Sequence, residues 1–339
     1  MKVLFVNQSV DLPANMVSDY QADMVFHGLS VLDGVKCIES APMWHMRSAE
    51  KHLNPEEFKK IWGKGHTLYG LLGDPITLGQ DINAVDKIIL PIHHTLAKRP
   101  EVVVTQLIAI KKLFPTAKIC VIDGWDRTDI DQPLLDMCRN HGVKYFKREC
   151  TYTDKTVKPI SFAFPEEKIP DLNWIEPRRY DIAPLIPVNQ SIDPSYMSTY
   201  CYDDEESYYK MYQDSKFALT SKKGGWDTLR HYEIIANGAI PIFVDIDKCP
   251  KHTLWNFPKD LCKRVNFLSG LIVNLTNGNW HPGMVLPHCG VVNKENPGYW
   301  WGHWQLYLDL ILKFEKYLKE KLLTKHLATY VLETMDENN

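Results

Sequence analysis

The chain reads as an α/β protein of two domains, each built on a parallel sheet. Three observations predict this. From Lys2 to Arg148, short apolar runs alternate with segments of helical periodicity, the pattern of a parallel sheet with helices on both faces. A proline-rich stretch, Thr151–Pro194, then interrupts the alternation, which resumes near Glu205. The length, 339 residues, suits about two domains.

The strands expected in the first region are Lys2–Asn7, Val35–Glu39, Lys87–Pro91, Lys118–Asp123 and Val143–Arg148. Each is short and carries apolar residues, and Lys87–Pro91 is the strongest buried run. Tyr20–Leu32, Pro100–Phe114 and Gln132–His141 are the helices between them, with Gly34 closing the first. A further helix is expected at Pro55–Gly63. The crossing between domains falls within Thr151–Pro194, so residues 1–185 form the first domain and 186–302 the second. In the second, Glu205–Gln213 is a helix, Lys263–Asn274 returns to the sheet, and Asn277–Gly302 is a loop rich in Gly, Pro, Asn and Trp. His303–Met335 is a long amphipathic helix or a pair of helices, with Leu306, Leu310, Phe314, Tyr317 and Leu318 on one stripe; residues 303–335 are the closing helical segment.

Composition excludes several classes. Hydrophobic residues make up 45% and charged residues 24%, ordinary for a soluble globular protein. The net charge of −3 gives no general attraction to nucleic acid. The basic cluster Lys313–Lys325 is interleaved with Leu and Glu, as on the solvated face of a helix. None of the eight cysteines is in a C-x-x-C pair, so reduced, buried thiols are expected. The first residues run straight into a strand without a signal-peptide design, and no apolar run reaches the ~18 residues of a membrane span. A cytoplasmic protein, free or peripheral to a membrane, is expected.

Ser215–Phe243 carries the functional signal. Ser215–Thr220 is a strand, Lys222-Lys223-Gly224-Gly225 a loop, and Asp227 or Thr228 the cap of a helix to about Asn237. Gly238 ends that helix, and Ala239–Val244 is a buried strand. A glycine- and lysine-rich loop therefore precedes a helix N-terminus, where unpaired N–H groups and a partial positive charge suit a phosphate. Arg230 and Glu233 follow on one face. An arginine grips phosphate oxygens in a fork, and a glutamate accepts hydrogen bonds from sugar hydroxyls. Together they point to a nucleoside diphosphate.

Strand, glycine turn, W-D-x-x-R-x-x-E (Trp226–Glu233) and G-x-I-P-x-F (Gly238–Phe243) resemble the donor domain of GT-B glycosyltransferases, closest to exostosin-like and CgeB-like sequences. Asp19-Tyr20-Gln21-Ala22-Asp23 and Phe26-His27-Gly28-Leu29 after the first strand resemble the start of an acceptor-side domain in such enzymes. The specific motif spans about 30 residues and the looser organisation most of the chain. The resemblance implies a GT-B fold: two Rossmann-like domains with parallel sheets facing a cleft, and a C-terminal helix crossing back onto the N-terminal domain. It implies transfer of a sugar from a nucleotide-diphosphate donor, UDP- or GDP-linked, to a glycan or other hydroxyl acceptor, with no required cofactor or metal.

On that reading Lys223, Gly224, Gly225, Asp227, Thr228, Arg230 and Glu233 bind the donor. The 224–228 backbone cradles the diphosphate, Arg230 neutralises charge on the leaving group, and Glu233 holds ribose or sugar. Lys222 and Lys223 suit a solvated loop equally well, and His231 and Tyr232 face either the site or the packing. Asp19, Asp123 and Arg230 are the catalytic candidates. An inverting transferase needs a general base, and Asp19 suits it, as it suits a helix cap. Asp123, in Asp123–Asp129 after a buried strand, is a base or acceptor ligand, or the acid of an ordinary turn. Asp23, His27 and His93-His94 lie at or near the same edge. The aromatic groups Trp280, Tyr299, Trp300, Trp301 and Trp304, and Tyr196, Tyr200, Tyr202, Tyr208, Tyr209 and Tyr212, either stack on ligand or pack.

Three alternatives compete. Asp245-Ile246-Asp247 is an Asp-x-Asp after an apolar strand, as in metal-dependent GT-A transferases; a loop or cap role is favoured. A non-catalytic nucleotide-sugar or glycan-binding protein is the second. A transferase acting on DNA bases is the third, disfavoured by the charge.

Overall fold

The computed structural model describes residues 1–9, 11–47, 55–77, 85–176, 178–183, 202–269 and 297–337. They form two compact units. One comprises Met1–Pro165, Pro250–Asn256 and Leu323–Asn339, the other Glu166–Cys249 and Phe257–Leu322.

The first unit is a six-stranded, all-parallel sheet in the order β2-β1-β3-β4-β5-β6. Its strands are β1 (Lys2–Phe5), β2 (Lys36–Glu39), β3 (Lys87–Pro91), β4 (Lys118–Asp123), β5 (Lys144–Lys147) and β6 (Val157–Pro159). In register, Leu4 lies beside Ile88, and Ile88 beside Ile119. Helices α1 (Tyr20–Val31), α2 (Pro100–Leu113) and α3 (Gln132–Asn140) connect them. Pro100 opens α2 at its first turn, and Asp131 caps α3 by accepting from Leu134 N–H at 3.0 Å. Alternate strand residues point to opposite faces. Leu4, Ile88, Leu90 and Val121 join Val103 and Leu107 of α2 and Leu134 of α3 in one core. Phe5 packs against Phe26 of α1, with centroids 5.1 Å apart.

The chain's last helix belongs to this unit. The expected 303–335 helical segment is a pair, α7 (Pro297–Lys321) and α8 (Thr324–Asp336), broken at Leu322–Leu323. Leu323 bridges to Phe164, and α8 lies along α1. His27 Nδ1 sits 2.9 Å from Thr324 Oγ1, which fixes His27 in the packing. Lys87, at the start of β3, donates to the Leu332 carbonyl at 2.6 Å and to Asp336 at 2.7 Å. It thus puts a cation at the C-terminal end of α8, where the helix dipole favours one.

The second unit holds a three-stranded parallel sheet, β7 (Tyr180–Ile182), β8 (Ser215–Thr220) and β9 (Ile240–Phe243), with β8 central. Helix α4 (Glu205–Gln213) precedes β8, α5 (Leu229–Ala236) links β8 to β9, and α6 (Lys259–Ser269) and α7 complete it. Gly238 closes α5 at φ +76°, a left-handed turn that glycine adopts without strain.

Four expectations change. Lys263–Asn274 does not return to the sheet: its described part belongs to α6, where Cys262 and Val265 are buried while Lys263 and Arg264 face water, a helical spacing. Residues 297–302, expected as loop, open α7 with a proline in its first turn; residues 277–296 lie outside the described residues. Pro55–Gly63 yields one turn, Pro55–Phe58, and a 3-10 segment, Trp62–Gly65, in which Gly63 and Lys64 have φ of +68° and +58°. The proline-rich crossing contains two short strands, β6 and β7. Among the described residues, no helix is long and apolar enough to cross a membrane.

Gly28 marks the closest approach of α1 and α8: a Cβ there would lie 2.0 Å from the Thr324 carbonyl oxygen. Backbone cannot yield as a side chain tip can. Gly28→Ala is expected to cost about 3 kcal/mol, seen as an earlier urea midpoint with an unchanged slope.

Candidate functional site

The two groups of predicted residues lie one in each unit. In the second unit, the segment after β8 folds as the sequence indicates: strand, loop 221–228, α5, then β9. Thr228 is the N-cap residue, but its side chain makes no capping bond to the helix N–H groups and instead lies 3.2 Å from His231 Nε2. His231 is fully buried. Its Nε2–H donates to the Trp226 carbonyl at 2.8 Å, leaving Nδ1 to accept from the Thr220 hydroxyl at 2.7 Å. The ring also packs on Phe243, with centroids 4.4 Å apart. Asp227 accepts from the Tyr232 hydroxyl at 3.0 Å. His231 and Tyr232 therefore hold the loop, and Asp227 and Thr228 serve that clamp.

Arg230 differs. It is 6% exposed, yet among the described residues its Nε and Nη1 have no hydrogen-bond partner. Burial opposes its charge, but the Tyr212 and Tyr208 hydroxyls and the Glu233 carboxylate raise its pKa above the usual arginine value. Glu233, also 6% exposed, accepts from Tyr208 OH at 2.7 Å. Tyr208 in turn lies 3.3 Å from Tyr212 OH. Lys223, exposed in its loop, lies near the same pair; desolvation and the Arg230 cation lower its pKa, against the pull of Glu233. Lys223, Arg230 and Glu233 are thus brought together, at a loop preceding a helix N-terminus. Gly224 is exposed and Gly225 buried in that loop. Sequence reasoning left Tyr208 and Tyr212 within a tyrosine-rich run; their spacing of four on α4 is the signal that places both on one face.

The Asp-x-Asp pair is exposed. Asp245 pairs with Lys248 at 3.0 Å and Asp247 lies 3.8 Å from Lys263. Among the described residues, no group of three or more His, Cys, Asp or Glu is arranged to hold a metal ion.

In the first unit, the loops after β1 and β3 and the start of α1 enclose a shallow pocket lined by Asp19, Asp23, Met43, Pro91 and His93, among others. Asp19 caps α1, its Oδ1 accepting from Ala22 N–H at 3.2 Å. Burial and the Asp23 carboxylate push its carboxyl up to about 7, against the Ala22 N–H and Arg148. Asp23 is engaged: it accepts from His45 Nε2 at 3.1 Å, Tyr69 OH at 3.1 Å and Asp19 N–H at 2.9 Å. His93 is 3% exposed. Its Nδ1 accepts from Thr95 N–H at 3.3 Å and lies 2.8 Å from the Thr95 hydroxyl, which puts the proton on Nε2. Burial, then His94, lowers its pKa to about 4, so it is neutral at pH 7.

Asp123 stands at the end of β4, but its oxygens are taken. Oδ2 accepts from Tyr145 OH at 2.5 Å and Lys147 Nζ at 2.8 Å, and Oδ1 from Trp125 N–H at 3.0 Å. It is a buried, paired carboxylate that shapes its turn. The next residue, Gly124, lies against Asp19: a Cβ there would be 2.6 Å from Gln21 Cβ and 3.2 Å from Asp19 Oδ1. Lys147 and Arg148, beyond the reach of motif reading, complete this edge. Arg148 donates to the Gly124 carbonyl at 2.8 Å and pairs with Asp126.

Of the aromatic candidates, Tyr196, Tyr200 and Trp280 lie outside the described residues. Tyr299, Trp300, Trp301 and Trp304 occupy the first turns of α7.

No protein-family model matches the chain, and no curated protein matches it.

The raised carboxyl of Asp19 carries a stability signature. Its folded pKa is about 7 against an ordinary 3.8, so ionisation opposes folding as pH rises through that window, and the cost is complete above 7. Asn keeps the capping oxygen and removes the charge. Asp19→Asn is therefore expected to raise Tm, more at pH 8 than at pH 5, in thermal unfolding followed by circular dichroism.

Proposed function

We propose that the protein is a metal-independent glycosyltransferase of the GT-B type, moving a sugar from a nucleoside-diphosphate donor to a hydroxyl acceptor. One observation carries the reading: a buried arginine, Arg230, with two guanidinium nitrogens unpartnered among the described residues, in the first turn of a helix that follows a Lys-Gly-Gly loop. A buried cation without full pairing is costly, and a diphosphate satisfies it in a fork geometry. Lys223 adds a second positive group, and Glu233, oriented by Tyr208, is placed to accept from ribose or sugar hydroxyls.

In this proposal the acceptor oxygen attacks the anomeric carbon and its proton passes to Asp19. The bond from that carbon to the phosphate oxygen breaks, and the nucleoside diphosphate leaves with the electron pair. Arg230 and Lys223 stabilise the negative charge that grows on it, an interaction stronger in the transition state than in the ground state. Asp19 suits an inverting route, because a carboxyl near 7 is both available as a base and a strong enough one at neutral pH. Asp123, already paired, orients its turn. The two-domain GT-B arrangement, in which both clusters serve one reaction, and a cytoplasmic setting belong to the same proposal.

Calorimetry with UDP-, GDP-, TDP- and CMP-linked sugars tests the reading; binding to none of them would sink it. Arg230→Ala is expected to weaken the preferred nucleotide about 100-fold, the loss of two charge-assisted hydrogen bonds, with the circular dichroism spectrum unchanged. Turnover that survives chelation separates this enzyme from a metal-dependent one, and donor binding without transfer or hydrolysis would mark a binding protein instead. The rate, kcat/KM, is expected to fall below an inflection near pH 7 as Asp19 gains its proton. A profile flat from pH 5 to 8 would remove Asp19 from the base role.

A further inference from the structure

Helix α4 meets α5 through side chains that lie outside the sequence motif. Tyr208 and Tyr212, one turn apart on α4, are both buried. Tyr208 donates to Glu233 Oε2 on α5 at 2.7 Å, and the Tyr212 hydroxyl lies 3.3 Å behind it. With the Tyr208 proton turned to Glu233, Tyr212 is the donor of that second contact, so the row has one direction. Other rings fix the Tyr208 ring: those of Tyr212, Tyr209 and Tyr202 have centroids 5.3, 5.7 and 5.9 Å away. At the other end of both helices, Gln213 donates to Asn237 at 3.0 Å, and Asn237 to the Glu233 carbonyl at 2.9 Å.

Arg230 and Glu233 stand three apart on α5, a spacing at which opposite charges meet. A buried guanidinium and a buried carboxylate left to themselves close on each other, since each compensates the other's lost hydration. Here a neutral hydroxyl serves both. Tyr208 gives its proton to Glu233, and its oxygen supports the Arg230 cation as an acceptor. Burial first, then the Glu233 charge, keeps the phenol protonated far above its ordinary range, so the direction of the row holds at neutral pH. Among the described residues, Arg230 Nε and Nη1 have no hydrogen-bond partner although the residue is buried. Lys222, Lys223 and Gly224, just before the helix, are exposed. Arg230 lies close enough to Lys223 for its charge to lower that ammonium's pKa, so the guanidinium sits beside a loop that faces water.

We infer that Tyr208 is a positioning residue for phosphate recognition: its hydroxyl holds the Glu233 carboxylate and stands between it and the guanidinium, so that Arg230 Nε–H and Nη1–H are left for phosphate oxygens. The inference deepens the proposed function and rests on the reading of the second unit as the donor side. Tyr208 touches no phosphate itself. It acts through Glu233, by preventing an internal ion pair that would occupy the arginine, and Tyr212 acts one step further back by fixing the Tyr208 hydroxyl.

The test is calorimetry of the full chain with inorganic pyrophosphate, a probe with no sugar for Glu233 to hold. Tyr208→Phe keeps the ring and its packing. It is expected to weaken pyrophosphate about tenfold, as Glu233 turns to Arg230 and takes the place of one charge-assisted bond. Adding Glu233→Gln to Tyr208→Phe is expected to restore wild-type affinity within about twofold, because a neutral amide does not compete for the guanidinium. A tyrosine that only packs would show no such recovery. Unchanged affinity in Tyr208→Phe, or a double variant that binds no tighter than Tyr208→Phe, would overturn the inference. Should Tyr208→Phe not fold, Tyr212→Phe decides: it removes the hydroxyl behind Tyr208 and is expected to weaken pyrophosphate about threefold, and no loss there would overturn the inference. Wild-type binding of nucleotide-sugars with Tyr208→Phe unchanged keeps the donor reading and removes this role. The expected pyrophosphate pattern without binding of any nucleotide-sugar keeps the role and removes the donor reading. A wild-type chain that binds neither removes both.

Discussion

Parallel pairing is the constraint on which the rest depends. Every strand pair in both sheets runs in the same direction. A parallel strand cannot be joined to its neighbour by a tight turn, so the chain must return by a crossover each time. All the strand-to-helix loops in a sheet then leave from one edge, and polar residues in those loops gather there although they are distant in sequence. Asn7, His93 and Arg148 follow β1, β3 and β5 in this way, and Asp123 ends β4. In the second sheet, loop 221–228 follows β8 by the same rule.

At those edges the structure sorts charged groups into two kinds. Asp123 with Lys147 and Tyr145, Asp23 with His45 and Tyr69, and Glu39 with Arg47 are buried and mutually paired. Their charges are compensated where they stand, and removing one partner would leave the other buried alone. Arg230, Asp19 and His93 differ, although among the described residues Arg47 Nε and Arg178 Nε and Nη2 are also buried without a hydrogen-bond partner. Among the described residues, Arg230 has two nitrogens without a hydrogen-bond partner, Asp19 carries its proton to about pH 7, and burial keeps His93 neutral. Native interiors rarely leave such groups unsatisfied. Where local rules are broken in an otherwise consistent fold, function is the first explanation to test.

Legibility in the sequence followed the distance over which information had to act. The segment from β8 to β9 was readable because a strand, a glycine loop, a capped helix and a closing glycine are written in adjacent residues. The alternating core strands of the first unit were readable for the same reason. Helix α6 was misread because two buried residues, Cys262 and Val265, give too short a periodic signal to separate helix from strand. The strands β6 and β7 were hidden by the prolines around them, since a three-residue strand carries almost no pattern of its own. The engagement of Asp123 depends on Tyr145 and Lys147, across the sheet on β5, and no spacing rule links them. The clamp made by His231 was within the motif, but whether a buried histidine packs or points outward is decided by Thr220 and the Trp226 carbonyl, not by its position in the helix.

Gly124 shows how such non-local contacts tune a titratable group. It occupies ordinary backbone space, so its value is not conformational freedom. It has no side chain where α1 comes close, and the room it leaves is filled by Gln21 and by Asp19 Oδ1. The β4 loop can then press against the N-terminus of α1 and withdraw water from the Asp19 carboxyl. Asp23, one turn on, adds a negative charge that its own bonds to His45 and Tyr69 hold in place. Desolvation and a fixed like charge act in the same direction on a carboxyl, and only the single Ala22 N–H and the more distant Arg148 oppose them. A helix cap, which would ordinarily favour ionisation, is thereby converted into a group that titrates near neutrality. The cap and the carboxyl raised toward neutrality are one residue, and the close approach that a glycine permits accounts for the shift.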